Sequence, residues 1–255
     1  RLLVRAGPEG LPSGEIADSE GISGAPRMIA DGALKGVDRV IALHVDGEHY
    51  VGQIEIGSGK VAAAVDTFFG HVTGTGGHGA RPQVAIDPIW LATQVLSALY
   101  AVPSRQIDPF QPSVLSIGVV RGGEASNVIP RSVYIEGTLR SMDPVVRERL
   151  VAEVERCFSL ARAFGGDYTL KFERGYPPMH NHAGVADLIE RTARDVLGDQ
   201  GIGTPTPTMG AEDFSYMTEL APGAMFMLGV RAPGAEPQRV HTPTFTLDED
   251  ALPIG

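Results

Sequence analysis

Four short segments in the middle of the chain carry the residue patterns of β-strands. They are rich in β-branched and aromatic residues, and glycines bound several of them. The clearest segment alternates between two faces, with Val133 and Ile135 on the apolar face and Tyr134 and Glu136 on the polar face. The predicted strands are residues 62–73, 114–120, 131–140 and 168–172.

Two helical patterns separate these strands. The first covers about residues 85–100, and the second starts where Asp143 can cap a helix with Pro144 at its first position. Apolar residues at helical spacing predict the two buried stripes: Ile89, Ala92, Leu96 and Leu99, and then Leu150, Val154, Phe158 and Ala161. The resulting order, β-α-β-β-α-β, predicts a ferredoxin-like α+β sandwich over about residues 66–175.

The flanking regions have the patterns of an α/β domain. Residues 39–45 are almost continuously apolar, which is typical of a strand buried on both faces of a parallel sheet. The other elements predicted there are helices at 26–34 and 185–197 and a strand at 224–230. The simplest assembly joins residues 1–65 and 176–255 into one α/β domain, with the sandwich of residues 66–175 inserted between them.

Composition excludes several classes of protein. The 255 residues, 43% of them hydrophobic, are enough for one large or two ordinary domains. A formal charge of -10 argues against nucleic acid as a partner, and no run approaches the roughly 20 apolar residues that span a bilayer. Cys157 is the single cysteine and is predicted to lie among apolar residues on the buried face of a helix. An internal disulfide is therefore impossible, and we expect a cytoplasmic protein with no membrane partner.

Three residues in distant loops are candidate metal ligands. Glu15 lies in a loop rich in Gly, Pro and Ser, His44 ends the apolar strand, and His241 precedes Thr-Pro. One glutamate and two histidines suit a borderline cation such as Zn²⁺ or Mn²⁺. Local spacing does not connect them, so each also fits a plainer role. Glu15 can be a solvated carboxylate, His44 a capped core histidine and His241 a turn residue.

Four further residues are candidates for contact with a small molecule. His78 stands in a run of small residues, which can present an imidazole to a ligand or form an ordinary hairpin tip. The amide of Asn127 can donate and accept, and Arg140 can clamp a carboxylate. Glu212 fits a pocket or the start of the next helix. The plain alternatives are a turn residue for Asn127 and a solvated cation for Arg140.

An ordered set of motifs carries a family resemblance over about residues 12–255. The motifs are Leu43-His44-Val45, Gly77-His78-Gly79-Ala80-Arg81-Pro82, Asn127-Val128-Ile129-Pro130, Gly137-Thr138-Leu139-Arg140, Gly210-Ala211-Glu212-Asp213-Phe214 and His241-Thr242-Pro243. In this order they resemble the hippurate hydrolase, aminoacylase and indole-acetyl-amino-acid hydrolase branch of peptidase family M-twenty. The resemblance implies a metallopeptidase-type α/β catalytic domain with an inserted ferredoxin-like lid and dimerisation domain.

The same resemblance implies an activity and roles for the candidate residues. The activity is metal-dependent cleavage of the amide bond of N-acyl amino acids or small peptides by a homodimer joined through the lid. Glu15, His44 and His241 would hold metal, with two ions, Zn or Mn, in the intact parent. His78 would stabilise the oxyanion, reaching across the dimer, and Asn127 would place the substrate. We expect Arg140 and Glu212 to complete the substrate-binding set.

The chain departs from the family pattern in two places. The family has Pro-x-Glu-Glu before the ligand glutamate, and the first Glu activates the metal-bound water. Gly14 stands at the position of that first Glu. In an alternative register, in which Glu9 is the ligand, Pro8 stands there instead. Neither glycine nor proline has a side chain that can accept a proton. Nothing in the chain matches the family's upstream Cys-Gly-His-Asp-x-His motif. We therefore expect an incomplete catalytic domain and impaired hydrolysis. Two alternatives are a non-catalytic dimerisation or ligand-binding relative and an unrelated α/β binding protein.

Overall fold

The computed structural model describes residues 2–6, 23–205 and 207–255 of the chain. The helices in this part of the chain are α1 Gly24–Ala30, α2 Pro88–Arg105, α3 Pro144–Ala163, α4 Ala183–Leu197 and α5 Ser215–Thr218, with 3₁₀ turns at Pro82–Val84, Asp199–Gly201 and Glu249–Ala251. The strands are β1 Leu2–Ala6, β2 Arg39–Tyr50, β3 Ile54–Glu55, β4 Gly59–Ala62, β5 Ala64–Thr73, β6 Gly77–His78, β7 Ser113–Gly122, β8 Val128–Ile129, β9 Ser132–Ser141, β10 Asp167–Arg174, β11 Met179–Asn181, β12 Ile202–Gly203 and β13 Gly223–Arg231.

The described residues divide into two compact units. Unit 1 is formed by the described residues within the ranges Arg1–Ala62, Met179–Thr208 and Glu212–Gly255. Unit 2 is formed by Ala63–Pro178 and Met209–Ala211. Each unit has a hydrophobic core and a main sheet of its own, so the two are described in turn.

Unit 1 is an α/β fold built on a five-stranded sheet with the order β1-β2-β13-β3-β12. Strand β2 pairs in parallel with β1 on one side and with β13 on the other. Val40 and Ala42 enter one core, whereas Ile41 and Leu43 pack against a second core on the opposite face. This arrangement confirms the prediction of a parallel strand buried on both faces, because successive side chains of a strand point to opposite faces.

A buried asparagine links three backbone segments of unit 1. The side-chain Nδ2 of Asn181 donates to the carbonyl oxygens of Gly57 at 2.9 Å and Met225 at 2.8 Å. Its Oδ1 accepts from the N–H of Met225 at 2.8 Å. Asn181 is only 4% exposed, so these three bonds satisfy polar groups that solvent does not reach. The asparagine therefore serves as a hydrogen-bonding partner for β13.

Unit 2 has a four-stranded antiparallel sheet with the order β10-β5-β9-β7. Helices α2 and α3 pack against each other and against this sheet. The major elements follow the chain as β5, α2, β7, β9, α3 and β10, which confirms the predicted β-α-β-β-α-β order. The predicted inner face of β9 is also confirmed, because Val133, Ile135 and Leu139 are buried.

The core of unit 2 needs two glycines in its central strands. A Cβ on Gly70 would lie 2.3 Å from the ring of Phe158, and one on Gly137 would lie 2.6 Å from the ring of Phe68. The two rings are fully buried and meet edge to face with their centroids 6.2 Å apart. The glycines thus provide the space that this aromatic pair occupies.

The first helix of unit 2 differs from the predicted one. It begins at Pro88, with the Asp87 side chain accepting from the N–H of Ile89 at 2.9 Å, rather than at about residue 85. The prediction that Ile89 lies on the buried stripe is wrong, because Ile89 is 44% exposed. The stripe that faces the core is Leu91, Val95, Leu99 and Val102. The sequence window contained apolar residues on both sides of the helix, and packing on the sheet decided which side was buried.

The second helix agrees with its predicted capping and burial. The Asp143 side chain accepts from the N–H groups of Val145 at 2.8 Å and Val146 at 3.2 Å, and Gly165 has a positive φ of 84° beyond the helix end. Cys157 is buried, as predicted. Burial, reinforced by the nearby Glu153 carboxylate, raises the pKa of the Cys157 thiol to about 11. A thiol with so high a pKa is a poor nucleophile at neutral pH, so its role is packing.

A buried aspartate joins three segments of unit 2. Asp66 is 1% exposed and forms a bidentate ion pair with Arg147. The Nε and Nη2 atoms of Arg147 lie 2.9 Å and 2.5 Å from the two carboxylate oxygens of Asp66. Arg174 donates to the same carboxylate at 3.1 Å, and the N–H of Gly175 donates at 3.3 Å. One carboxylate thereby connects β5, α3 and the end of β10.

No helix among residues 2–6, 23–205 and 207–255 is long and apolar enough to cross a membrane.

Candidate functional site

His44 lies in the middle of β2, which continues to Tyr50, so the prediction that His44 ends this strand is wrong. The backbone fixes the tautomer of its ring. Its Nδ1 is 2.7 Å from the carbonyl oxygen of Val45, and a carbonyl can only accept, so Nδ1–H donates. In the neutral ring the lone pair therefore lies on Nε2. Histidines that ligate metals typically donate their other ring N–H in the same way.

Glu212 lies close to His44 in unit 1, and Asp213 follows it in the chain. Burial raises the pKa of Glu212, the N–H of Phe214 at 3.1 Å opposes this shift, and the negative charge of Asp213 adds to it. The charge of His44 acts on the same carboxyl group and lowers its pKa. Asp213 accepts from the N–H of Ala25 at 2.9 Å, at the start of α1. Glu212 is thus a half-buried carboxyl group in electrostatic contact with His44, whereas Asp213 caps a helix.

The raised pKa of Glu212 has a definite effect on stability. Since its carboxyl holds its proton more tightly in the folded chain, the stabilising contribution is fully present below the pKa of the unfolded state. It is lost as the pH rises through the higher folded pKa. Ionising the half-buried Glu212 is therefore a cost in the folded chain, and a nearby cation would offset it.

His241 is exposed and has a φ of 63°, an uncommon value for a residue other than glycine. Glu15, Gly14, Pro8 and Glu9 lie outside the described residues. The predicted convergence of Glu15, His44 and His241 on a metal therefore stays a prediction, and so do the alternatives for the general-base position.

His78 and Asn127 are brought together in unit 2 by a short antiparallel ribbon. Strand β6 pairs with β8, so that His78 lies opposite Val128, and the N–H of Gly79 donates to the carbonyl oxygen of Asn127 at 2.8 Å. A Cβ on Gly79 would lie 3.0 Å from that oxygen, which explains the need for a small residue there. Both candidate side chains are exposed. The ribbon therefore holds His78 and Asn127 close together.

The backbone also fixes the tautomer of His78. The N–H of Ala80 is 3.0 Å from Nδ1 of His78, and since an amide N–H can only donate, Nδ1 accepts. The neutral imidazole consequently carries its hydrogen on Nε2. An outward N–H donor of this kind can hydrogen-bond to a developing oxyanion.

Arg140 and a shallow groove add positive charge to unit 2. Arg140 is half-buried on β9, and its Nη1 donates to the carbonyl oxygen of Met209 at 3.3 Å. The groove has a volume of about 510 Å³ and borders the loop that carries Asn127. Its lining includes Arg121, Arg131 and Glu124, so two cations outnumber one carboxylate.

Sequence reasoning missed a second polar cluster in unit 1. Asp46, His49 and Glu55 offer ligand-type atoms that all lie within 4.8 Å of one another, and they form the sole such group of three found in the described ranges. His49 Nδ1 is 2.5 Å from Asp46 Oδ2, and His49 Nε2 is 3.3 Å from Glu55 Oε1. The spacing Asp-x-x-His was a visible signal, but the position of Glu55 depends on the turn between β2 and β3.

Comparison with known proteins identifies the family of this chain. Residues 15–255 match the model of Peptidase family M20/M25/M40, and the chain belongs to this family.

Individual relatives carry the comparison further. The chain is 34% identical to thermostable carboxypeptidase 1 of Saccharolobus solfataricus, covering 100% of this chain and 66% of that protein. It is 35% identical to N-acetyl-L-cysteine deacetylase of Bacillus subtilis, covering 90% and 54% respectively. A crystal structure of a Bacillus subtilis protein, described as a dinuclear metal-binding peptidase from the M20 family, matches with a TM-score of 0.75 and 28% identity. That match covers 91% of this chain and 58% of the other, so the chain spans only part of the length of these relatives.

Proposed function

We propose that this chain carries the site of a metal-dependent amidohydrolase that cleaves the amide bond of N-acyl amino acids or small peptides. The observation that carries the proposal is the family match over residues 15–255. Two relatives support the substrate class by their names, one as a deacetylase of an N-acetyl amino acid and one as a carboxypeptidase.

We assign the parts of the chain to roles in this activity. Residues 1–65 and 176–255 supply parts of an α/β metal-binding catalytic domain. Residues 66–175 supply an inserted lid and dimerisation domain. The β-α-β-β-α-β order of unit 2 and the mainly parallel sheet of unit 1 support this division. The single, buried cysteine supports a cytoplasmic location.

His44 fits a divalent metal, because its Nε2 lone pair is available and its Nδ1–H is anchored. The buried carboxyl of Glu212, in electrostatic contact with His44, would gain from a cation nearby. We assign Glu15, His44 and His241 as ligands of Zn²⁺ or Mn²⁺, a cation class that accepts this mixture of oxygen and nitrogen donors. When bound, the metal supplies Lewis-acid polarisation of the scissile carbonyl.

The chain's own residues orient the substrate and stabilise charge. His78 donates its Nε2–H to the developing oxyanion, and Asn127 hydrogen-bonds the substrate amide. Arg140 binds the free carboxylate, and Glu212 contacts the substrate. The excess positive charge of the groove beside Asn127 supports an anionic substrate, and an N-acyl amino acid carries such a carboxylate.

Gly14 favours a second candidate function. It stands where the family places the residue that activates water, and glycine cannot accept a proton. A relative that retains the substrate contacts but lacks the general base would bind N-acyl amino acids without cleaving them. Loss of general-base help typically lowers a rate by about 10²–10⁴-fold.

Turnover and binding should be measured separately on the 255-residue chain. We expect N-acetyl and N-benzoyl amino acids to bind with added Mn²⁺ or Zn²⁺, and free amino acid to be released slowly or not at all. Calorimetry reports binding, and detection of the free amine reports hydrolysis. Arg140→Gln should weaken binding, whereas the exposed control Arg162→Gln should not. Metal-dependent turnover at ordinary enzyme rates would show that impairment is wrong, and absence of both binding and turnover would contradict both functions.

We further propose that the chain forms a homodimer through unit 2. Strand β7 is an edge of the four-stranded sheet and is ten residues long, and an edge of this length presents backbone groups to a partner strand. We expect light scattering to give twice the 27.0 kDa mass of one chain. A mass of one chain that does not change on concentration would contradict dimerisation.

A further inference from the structure

Asp46, His49 and Glu55 form a cluster that the proposed hydrolysis does not use. We propose that His49 and Glu55 bind a divalent cation of the Zn²⁺ class, with Asp46 as the residue that orients His49. The three side chains are 21%, 38% and 16% exposed, respectively. They are sheltered by the sheet of unit 1 and still within reach of water, which can fill the remaining coordination positions.

The tautomer of His49 favours a cation next to its second ring nitrogen, Nε2. Asp46 can only accept, so Nδ1–H of His49 donates to Asp46 Oδ2. In the neutral ring, Nε2 then directs a lone pair toward a carboxylate oxygen of Glu55 at 3.3 Å. Two electron-rich atoms at this distance repel each other unless a cation lies between them, and that cation is either a proton or a metal ion.

The distance between the two ligand atoms fits a metal ion. Nitrogen and oxygen ligands of zinc lie at about 2.0–2.2 Å, and two vertices of a tetrahedron with such bonds are about 3.3–3.5 Å apart. The measured separation of His49 Nε2 from Glu55 Oε1 is 3.3 Å. An ion can therefore be accommodated with little movement of either side chain.

Asp46 adds the support that metal-binding histidines commonly have. Its Oδ2 accepts from the His49 ring, and its Oδ1 accepts from the N–H of Glu48 at 2.8 Å, so the carboxylate is anchored at both oxygens. A carboxylate–histidine–metal arrangement fixes the ring orientation and raises the basicity of the ligating nitrogen.

The two ligands are also held by backbone on either side of a tight turn. His49 lies on β2 and Glu55 on β3, and Gly52 has a φ of 87° between them. The Gln53 N–H donates to the carbonyl oxygen of Tyr50 at 3.1 Å, and the Gln53 side chain accepts from the Tyr50 N–H at 2.9 Å. These reciprocal bonds limit how far the strands can separate, which preserves the ligand spacing.

The experiment is a titration of the chelator-treated 255-residue chain with Zn²⁺ by calorimetry and with Co²⁺ by visible absorption. We expect the wild type to bind a cation at this cluster in addition to any held by the ligands proposed for hydrolysis. The double variant His44→Ala/His241→Ala, which lacks two of those ligands, should retain it, so the other substitutions are made in that double variant. Asp46→Asn should weaken this binding by about 10–100-fold, as is usual for loss of an orienting partner. His49→Ala and Glu55→Gln should weaken it at least as much.

Controls separate this site from a general loss of histidine or of folding. His71→Ala removes an exposed histidine of unit 2 and should leave the affinity unchanged, and circular dichroism without metal should be the same for all variants. The proposal is overturned if the His44→Ala/His241→Ala variant binds no cation, or if the binding that it retains persists after His49→Ala and after Glu55→Gln are added to it. Failure of hydrolysis is a separate result, because retained Zn²⁺ binding in the double variant does not depend on activity.

Discussion

Replacing Asp66 by asparagine is expected to lower the free energy of unfolding of unit 2 by about 3–5 kcal/mol, the usual loss when one partner of a buried ion pair is removed. Asp66 is 1% exposed, and Arg147, which pairs with both of its oxygens, is 13% exposed. An asparagine has nearly the same shape, so it creates no cavity. It leaves the guanidinium of Arg147 buried without a counter-charge and places an amide NH₂ near donors.

Trp90 offers a direct measurement of this effect. It is the single tryptophan of the chain, it lies on α2 in unit 2, and its ring meets Phe164 at a centroid distance of 5.0 Å. Urea unfolding followed by tryptophan fluorescence should show a much lower midpoint for Asp66→Asn. The matched control is Asp167→Asn, because Asp167 is paired with Arg162 but both are exposed, and such pairs are worth about 0–1 kcal/mol. Equal shifts for the two variants would contradict the expected difference.

Replacing Asn181 by alanine is expected to destabilise unit 1 by about 3 kcal/mol or more, since each buried polar group left without a partner costs about 1–3 kcal/mol. The substitution removes the partners of the Gly57 carbonyl and of both backbone groups of Met225. Asn181→Asp should be no better at neutral pH, because a carboxylate would face two carbonyl oxygens. Lowering the pH should restore part of its stability, since the protonated carboxyl can donate one hydrogen bond.

Thermal unfolding followed by far-ultraviolet circular dichroism, which reports on both units, tests this second effect. Asn127→Ala is the matched control, because Asn127 is exposed and surface substitutions usually change stability by less than about 0.5 kcal/mol. A melting temperature of Asn181→Ala equal to that of the wild type would show that water replaces the lost bonds. A pH profile of Asn181→Asp parallel to that of the wild type would exclude the proposed donor.

Local sequence signals predicted most elements of the fold. Strand β9 and helix α3 were predictable because strict alternation in the one, and Asp143-Pro144 with a regular stripe in the other, agree with the final packing. The position of α2 was less predictable, because Ile89 and Leu91 are both apolar and only the sheet decides which of them is buried. Asn181 carried no signal at all, since its three partners lie 44 and 124 positions away along the chain.

The candidate site was likewise only partly predictable from the sequence. His78 and Asn127 could be singled out because glycine-rich loops are visible in the sequence, and His44 because it interrupts a buried apolar run, although β2 continues beyond it to Tyr50. The hydrogen bonds that fix the two histidine tautomers could not be foreseen, because they depend on backbone atoms of Val45 and Ala80 in one conformation. The association of Glu55 with His49 likewise required the path of the turn at Gly52.

The ribbon of β6 and β8 constrains which sequence changes can alter the specificity of this protein. Because Gly79 is hydrogen-bonded to Asn127, the loop of residues 122–127 and the His78 loop share one backbone junction. An insertion or deletion in either loop would therefore displace the imidazole and the amide together. Natural or engineered changes of specificity are better sought in side chains such as Arg121 and Arg131 than in loop length, since these line the neighbouring groove without belonging to the junction.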